Sequence, residues 1–335
     1  MLECGLVTTK SVSTIAAKNI GKFAIASIVF FLCGYNLAYG IPEGGYIGSF
    51  SIWSDSSEIG TGYSDYSDWF YQAMFVCATV SIVSGAVAER IKIWPFFIFS
   101  AIMAAFIYPI SMGWQWGGGW LASIGFSDFA GSTLVHSTGG AAALAGALML
   151  GPRLGRFTKS GAPAPLKPFA ASSIPLVTVG VFILWLGWFG FNGGSQLAVH
   201  TVDNANAVAQ VFLNTNAAAA GGVLGAIIIS KILTGKMDVT MGINGAIAGL
   251  VAITAAPDTP SGGLATIIGA IGGVIVYFSV VFFDSVLNVD DPVGAISAHG
   301  TVGVWGIMAT PLSGAGAFGT QAIGAVSIFL WTFIT

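Results

Sequence analysis

Charge is what this sequence lacks most. Only 7% of its 335 residues are Asp, Glu, Lys or Arg, against about 25% in a soluble domain. That scarcity excludes a water-soluble enzyme. Lys and Arg never gather beyond a few residues, so nucleic acid is not an expected partner. Cysteine is nearly missing. Cys4, Cys33 and Cys77 make no CxxC pair, which leaves neither a disulfide framework nor a cysteine zinc site. No HExxH, GxSxG or phosphate loop is present, so no enzyme activity, cofactor or metal is expected. Ten-residue stretches of alternating polarity are lacking, which argues against a β-barrel. No charged leader precedes an apolar core at the N-terminus, so no cleavable signal peptide is expected.

What is present is apolar and helix-length. The chain is 55% hydrophobic with a mean hydropathy of +0.85. The expected fold is an all-α polytopic membrane protein, a single transmembrane domain over 1–335. Its 47 glycines allow membrane helices to approach closely. A spanning helix needs about 20 mostly apolar residues. Ten candidate spans lie at roughly 20–40, 66–88, 93–113, 129–151, 171–193, 205–233, 241–256, 262–284, 295–312 and 317–335.

The basic residues fall on alternate sides of these spans. Lys10, Lys18 and Lys22 precede the first, Arg90 and Lys92 follow the second, Arg153, Arg156, Lys159 and Lys167 follow the fourth, and Lys231 and Lys236 follow the sixth. The intervening connections carry none. This positive-inside pattern assigns the basic loops, 152–170 included, to the cytoplasm of a multi-pass protein of the inner or plasma membrane. The acidic 41–65 loop, with Glu43, Asp55, Glu58 and Asp65, then faces outside. No Lys is expected mid-span, so a retinal Schiff base is not expected.

Two histidines lie inside apolar segments, each eight residues after an aspartate and each with Gly three after that Asp. They are Asp128…Gly131…His136 and Asp291…Gly294…His299. Five spans separate them. Five is odd, so the two units insert with opposite polarity, an inverted repeat of the kind that builds midplane transport sites. An ionisable residue in a span is costly and marks function by default. The competing reading is two packing histidines, each bonded to a neighbouring hydroxyl. Paired imidazoles could share one hydrogen bond and turn their other nitrogens toward a pore. His200, in an outer loop, reads as ordinary surface.

Asp128 reads as a helix N-cap. Asp291-Pro292 reads likewise, with Pro at the first helical position. Trp116 precedes a triple glycine that would pack tightly and leave the indole exposed. An exposed indole attracts cations through its π face, which makes ammonium a plausible cargo. Phe75 and Phe191 lie within spans, where packing is the alternative to gating.

These residues together resemble the ammonium transporter family (Amt/MEP/Rh). The resemblance rests on Gly5-Leu-Val-Thr-Thr-Lys-Ser11, Ala88-Glu-Arg90, Trp116-Gly-Gly-Gly119, Asp128-Phe-Ala-Gly-Ser-Thr-Leu-Val-His136, Gly151-Pro-Arg153, Gly187-Trp-Phe-Gly-Phe-Asn-Gly-Gly-Ser195, Asn244-Gly-Ala-Ile-Ala-Gly-Leu250 and Val289-Asp-Asp-Pro-Val-Gly-Ala-Ile-Ser-Ala-His-Gly300. It covers nearly the whole chain in family order. It implies a homotrimer with one pore per protomer. It implies an outer ammonium site of Trp116, Phe75 and Ser195 supported by Asp128, a gate of Phe75 and Phe191, and a pore pair of His136 and His299. It also implies that most of the family's first span, and the C-terminal tail that contacts signal-transduction proteins, are missing here. The expected function is ammonium recruitment, deprotonation and conduction of ammonia past twin histidines. The alternatives are an electroneutral small-gas channel and an ammonium sensor.

Overall fold

The structure is a computed structural model that describes residues 1–52, 63–158 and 169–335. Asp55 and Glu58 of the acidic loop, and Lys159 and Lys167 of the basic one, lie outside the described residues.

The described residues form helices in chain order: α1 (Leu2–Leu6), α2 (Val12–Val29), α3 (Tyr35–Tyr39), α4 (Asp65–Ala86), α5 (Ile93–Ile102), α6 (Tyr108–Gly113), α7 (Trp120–Ser123), α8 (Thr138–Leu150), α9 (Ile174–Gly194), α10 (Val202–Thr234), α11 (Val239–Ile253), α12 (Gly262–Ser285), α13 (Val302–Ala309) and α14 (Phe318–Ile334). Wider π turns join α2 to α3 at Phe30–Gly34 and α5 to α6 at Met103–Ile107. Among the described residues, seven helical stretches are long and apolar enough to cross a bilayer: Thr9–Tyr39, Asp65–Ala86, Ile93–Gly113, Ser132–Leu150, Ile174–Gly194, Val202–Thr234 and Gly262–Ser285. The remaining candidate spans correspond to the shorter helices α11 and α14 and to the broken stretch around α13.

One boundary is corrected. The first span does not begin near residue 20. The helical run starts at Thr9, because Lys18 and Lys22 turn inward and are buried. Both lysines therefore lie inside the span rather than before it, and the expectation of no mid-span Lys fails.

Helix ends follow ordinary capping chemistry. Ser64 accepts from Ser67 N–H, Ser173 from Leu176 N–H, Thr201 from Asn204 N–H and Asp238 from Thr240 and Met241 N–H. α11 is buried from Gly242 to Ile253. Asn244 apart, that stretch is apolar all round, as a central helix must be. Glycine permits its contacts: a Cβ on Gly273 would sit 2.1 Å from the Gly222 carbonyl oxygen, and one on Gly249 2.2 Å from that of Ala218. α10, α11 and α12 thus pack backbone to backbone.

Ion pairs tie the Glu89 end of the bundle together. Arg153 bonds Asp290 (Nε to Oδ2, 2.8 Å) and Glu89 (Nη1 to Oε2, 2.6 Å), and Arg90 reaches Asp290 at 3.0 Å. Thr8 and Ser11 hydroxyls also donate to Glu89. Burial pushes both carboxyls up, but hydrogen bonds from Thr8, Arg153 and Ser11 on Glu89, and from Arg153 on Asp290, outweigh it. Both are held below the ordinary carboxylate range. A carboxyl with a depressed folded pKa stabilises the fold above its unfolded pKa, and that contribution is lost as pH falls through the folded value. Detergent-solubilised protein is therefore expected to lose Tm as pH falls below about 4. Asp290→Asn should lower Tm at pH 7 and flatten the acid decline. Equal acid slopes for the two proteins would mean the cluster contributes nothing.

Candidate functional site

The two halves of the site are built alike. His136 lies in a six-residue π turn, Ser132–Ser137, leading into α8. His299 lies in another, Ile296–Thr301, leading into α13. A π turn adds a residue to the helical repeat and re-aims the side chains around it, and such turns concentrate at functional sites.

An aspartate clamps the start of each turn. The Asp128 carboxylate accepts four backbone N–H bonds, from Gly131 (2.9 Å), Ser132 (2.9 Å), Thr133 (2.7 Å) and Leu134 (3.0 Å). Asp291 accepts from Gly294 (3.1 Å) and Ile296 (2.7 Å). The chain can fold back over each carboxylate because Gly131 (φ +103°) and Gly294 (φ +76°) adopt the left-handed region. This is the physical content of the repeated Asp-x-x-Gly spacing. Asp128 satisfies the opening amides of the helical run, but from three residues ahead of the N-cap, which is Gly131. Pro292 does not sit at the first helical position; it occupies a turn ahead of the helical run that starts at Ala295. The reason is that Asp291 bonds forward to Ile296, with the Pro292–Gly294 turn in between.

The clamped turns bring the imidazoles together. His136 Nδ1 and His299 Nδ1 are 3.2 Å apart, with ring centroids 5.2 Å apart at 27°. One nitrogen carries the shared proton and the other accepts it. His136 also stacks on Trp188 (4.9 Å) and Phe191 (5.3 Å). The Trp188 indole N–H donates to Thr254 Oγ1 at 2.8 Å, which locks that platform. His136 Nε2 is buried with no hydrogen-bond partner among the described residues. Both rings line a cavity of about 460 Å³. The start of α8 packs closely on the His299 turn: a Cβ on Gly140 would lie 2.2 Å from Gly300 Cα, beside His299.

On the Trp116 side of the pair an aromatic stack runs from Phe191 to Phe75 (4.2 Å) and from Phe75 to Trp116 (5.5 Å). Trp116 is partly exposed, and its indole N–H donates to the Asp128 carbonyl oxygen at 2.9 Å. Of the triple glycine, Gly117 and Gly119 pack tightly, a Cβ on Gly117 lying 2.1 Å from the Ala38 carbonyl oxygen, whereas Gly118 has open space and a left-handed φ of +78°. Ser195 closes α9, where its hydroxyl donates to the Phe191 carbonyl at 3.1 Å. All seven candidate residues thus belong to one column or its supports. His200 stands apart and exposed.

Sequence reasoning missed Tyr71. Its hydroxyl is 2.7 Å from Ser195 Oγ and also bonds the Phe191 carbonyl, and its ring meets Phe75 edge-on at 4.6 Å. The spacing from Tyr71 to Phe75, one helical turn, was the available signal. Trp188 was missed as a site residue as well, although it lies within the quoted Gly187–Ser195 motif.

The chain is also similar to known proteins. A family model described as the Ammonium Transporter Family matches residues 1–335. A putative ammonium transporter of Synechocystis sp. is 39% identical, over 100% of this chain and 76% of that one. Ammonium transporter Amt2 of Archaeoglobus fulgidus is 38% identical, over 96% of this chain and 69% of that one. Among solved structures, one titled Sensor Amt Protein superposes with a TM-score of 0.92 at 35% identity, covering 99% of this chain and 85% of that one. Mep2 of Candida albicans does so with a TM-score of 0.82 at 29% identity, covering 93% and 72%. With its paired imidazoles, apolar helices and whole-length match, this chain is an integral membrane protein that belongs to the ammonium transporter family.

Proposed function

We propose that the chain recruits ammonium at Trp116, Phe75 and Ser195, takes its proton, and conducts ammonia past the Phe75–Phe191 gate and the twin histidines. The observation that carries this reading is the Nδ1–Nδ1 contact of 3.2 Å between His136 and His299 beside the aromatic stack of Phe191, Phe75 and Trp116. A pore of neutral imidazoles suits a small molecule that both donates and accepts hydrogen bonds. A bare cation there loses hydration without full compensation.

At the mouth, the indole and phenyl faces attract the cation, and ammonium N–H groups donate to Ser195 Oγ. Tyr71 supports this arrangement. With the Ser195 proton directed to the Phe191 carbonyl, the Tyr71 hydroxyl donates to Ser195 Oγ and one Oγ lone pair is left for the cargo. Asp128 acts as a scaffold, since its carboxylate is already taken by four N–H groups. Potassium ion, similar in size, can neither donate a hydrogen bond nor lose a proton. By this reading the Glu89–Arg153–Asp290 end is cytoplasmic, the active unit is a homotrimer, and 41–65 and 152–170 are an outer and an inner loop.

Ammonium and methylammonium uptake by His136→Ala and His299→Ala proteins tests the proposal. Each variant is expected to lose ammonium selectivity over potassium, with uptake changed at least about tenfold (about 1.4 kcal/mol). Wild-type selectivity in both would refute the pore role. Currents on solid-supported membranes separate charge-moving transport from a gas channel. Ammonium-dependent signalling without uptake would mark a sensor.

A further inference from the structure

Lys22 is the least expected side chain in the molecule. It lies inside the span Thr9–Tyr39, is 2% exposed, and its Nζ has no hydrogen-bond partner among the described residues. An ionisable group at such a place demands a role.

Its neighbourhood is charged but fully engaged. The Glu3 carboxylate takes Lys18 Nζ (3.1 Å), Asn19 Nδ2 (2.9 Å) and Ser84 Oγ (2.8 Å). Lys18 Nζ also donates to the Ser84 carbonyl oxygen at 2.8 Å and lies over the Phe96 ring. The other groups facing Lys22 are the thiols of Cys4 and Cys77. Two ammonium groups therefore share one carboxylate, and the cluster carries net positive charge. Lys22 is the member without a protein acceptor.

It faces the site. Lys22, Glu3 and Asn19 line the same cavity of about 460 Å³ as His136 and His299. Along α4 that cavity is lined by Ala78, Ser81, Ile82 and Gly85, on the side of the histidines away from Trp116. Its volume has room for water, whose share of the liquid is about 30 Å³ per molecule. Lys22 Nζ is itself buried, so its charge acts on the cavity through the wall and not by direct contact. A fixed positive charge in a confined, low-dielectric passage repels mobile cations and leaves neutral solutes alone.

We propose that Lys22 is a second selectivity station, a tethered cation that bars potassium, sodium and ammonium ions from the chamber beyond the twin histidines while ammonia passes. This rests on the transport reading above. Its chemistry is independent of the histidines, because Lys22 acts by charge and not by hydrogen-bond matching.

Proteoliposomes holding the full chain test it, with potassium efflux and ammonium uptake measured in the same vesicles. Lys22→Met removes a charge that has no protein acceptor, so no acceptor is orphaned and folding is expected to survive. Lys22→Gln provides a neutral polar alternative should Met misfold. The expected result is a fivefold or greater rise in potassium efflux for both, ammonium uptake within twofold of wild type, and wild-type behaviour for Lys22→Arg. Potassium efflux at wild-type level in Lys22→Met or Lys22→Gln overturns the proposal. So does loss of ammonium uptake without potassium leak, which would make Lys22 structural or proton-carrying. Failure of the transport reading shows separately, as no ammonium uptake by the wild-type protein.

Discussion

An Asp128→Ala protein is expected to lose ammonium uptake and to melt far below wild type. The carboxylate is fully buried and holds the N–H groups of Gly131, Ser132, Thr133 and Leu134. Hydrogen bonds to a charged group contribute about 1.5–3 kcal/mol each, and a buried donor left without a partner costs a comparable amount. Even with strong non-additivity, the loss is several kcal/mol of a typical total of about 5–15 kcal/mol. The damage reaches both ends of the site. The released turn carries His136, and the main-chain carbonyl of Asp128 anchors the Trp116 indole. Asp128→Asn keeps one acceptor oxygen and should fall between the two. Thermal unfolding in detergent, compared with uptake in vesicles, measures both effects. An Asp128→Ala protein that melts with the wild type would show that the turn does not depend on its clamp.

Gly140→Val is expected to reduce uptake at least about tenfold (about 1.4 kcal/mol) while the protein still reaches the membrane. A Cβ at this position would fall 2.2 Å from Gly300 Cα and 2.3 Å from Gly300 N. The obstacle is backbone, so no side chain can swing aside. Overpacking of this kind costs about 1–3 kcal/mol, and relief requires α8, which continues the His136 turn, to separate from the His299 turn. Separation stretches the 3.2 Å contact between the imidazoles. Gly190→Ala is the control, since a Cβ there meets nothing within 4 Å and Ala is the better helix former. Equal uptake by Gly140→Val and wild type would mean that the pair tolerates separation.

Much of this architecture is legible in the chain itself. The matched Asp-x-x-Gly…His segments point to a paired site, because a buried imidazole and a left-handed glycine each need a physical reason. Glycine abundance foretells the backbone contacts of α10, α11 and α12. The π turns are not legible, since one extra residue in a turn leaves no periodic mark in an apolar run. Lys22 is misread for a related reason. Assigning charges to loops presumes that membrane helices exclude them, and Lys22 is accommodated by a cavity that only the packing reveals. Tyr71 is overlooked because aromatic residues are common at membrane depth, and its role lies in one hydroxyl. Asp290 and Asp291 look alike in sequence. Their division of labour depends on Arg153, which lies 137 residues earlier in the chain.

That division has a mechanical consequence. One peptide unit joins the carboxylate gripped by Arg90 and Arg153 to the carboxylate that seats the turn bearing His299. Any rearrangement of those arginines levers directly on the orientation of an imidazole, with no intervening layer of soft side chains to absorb it.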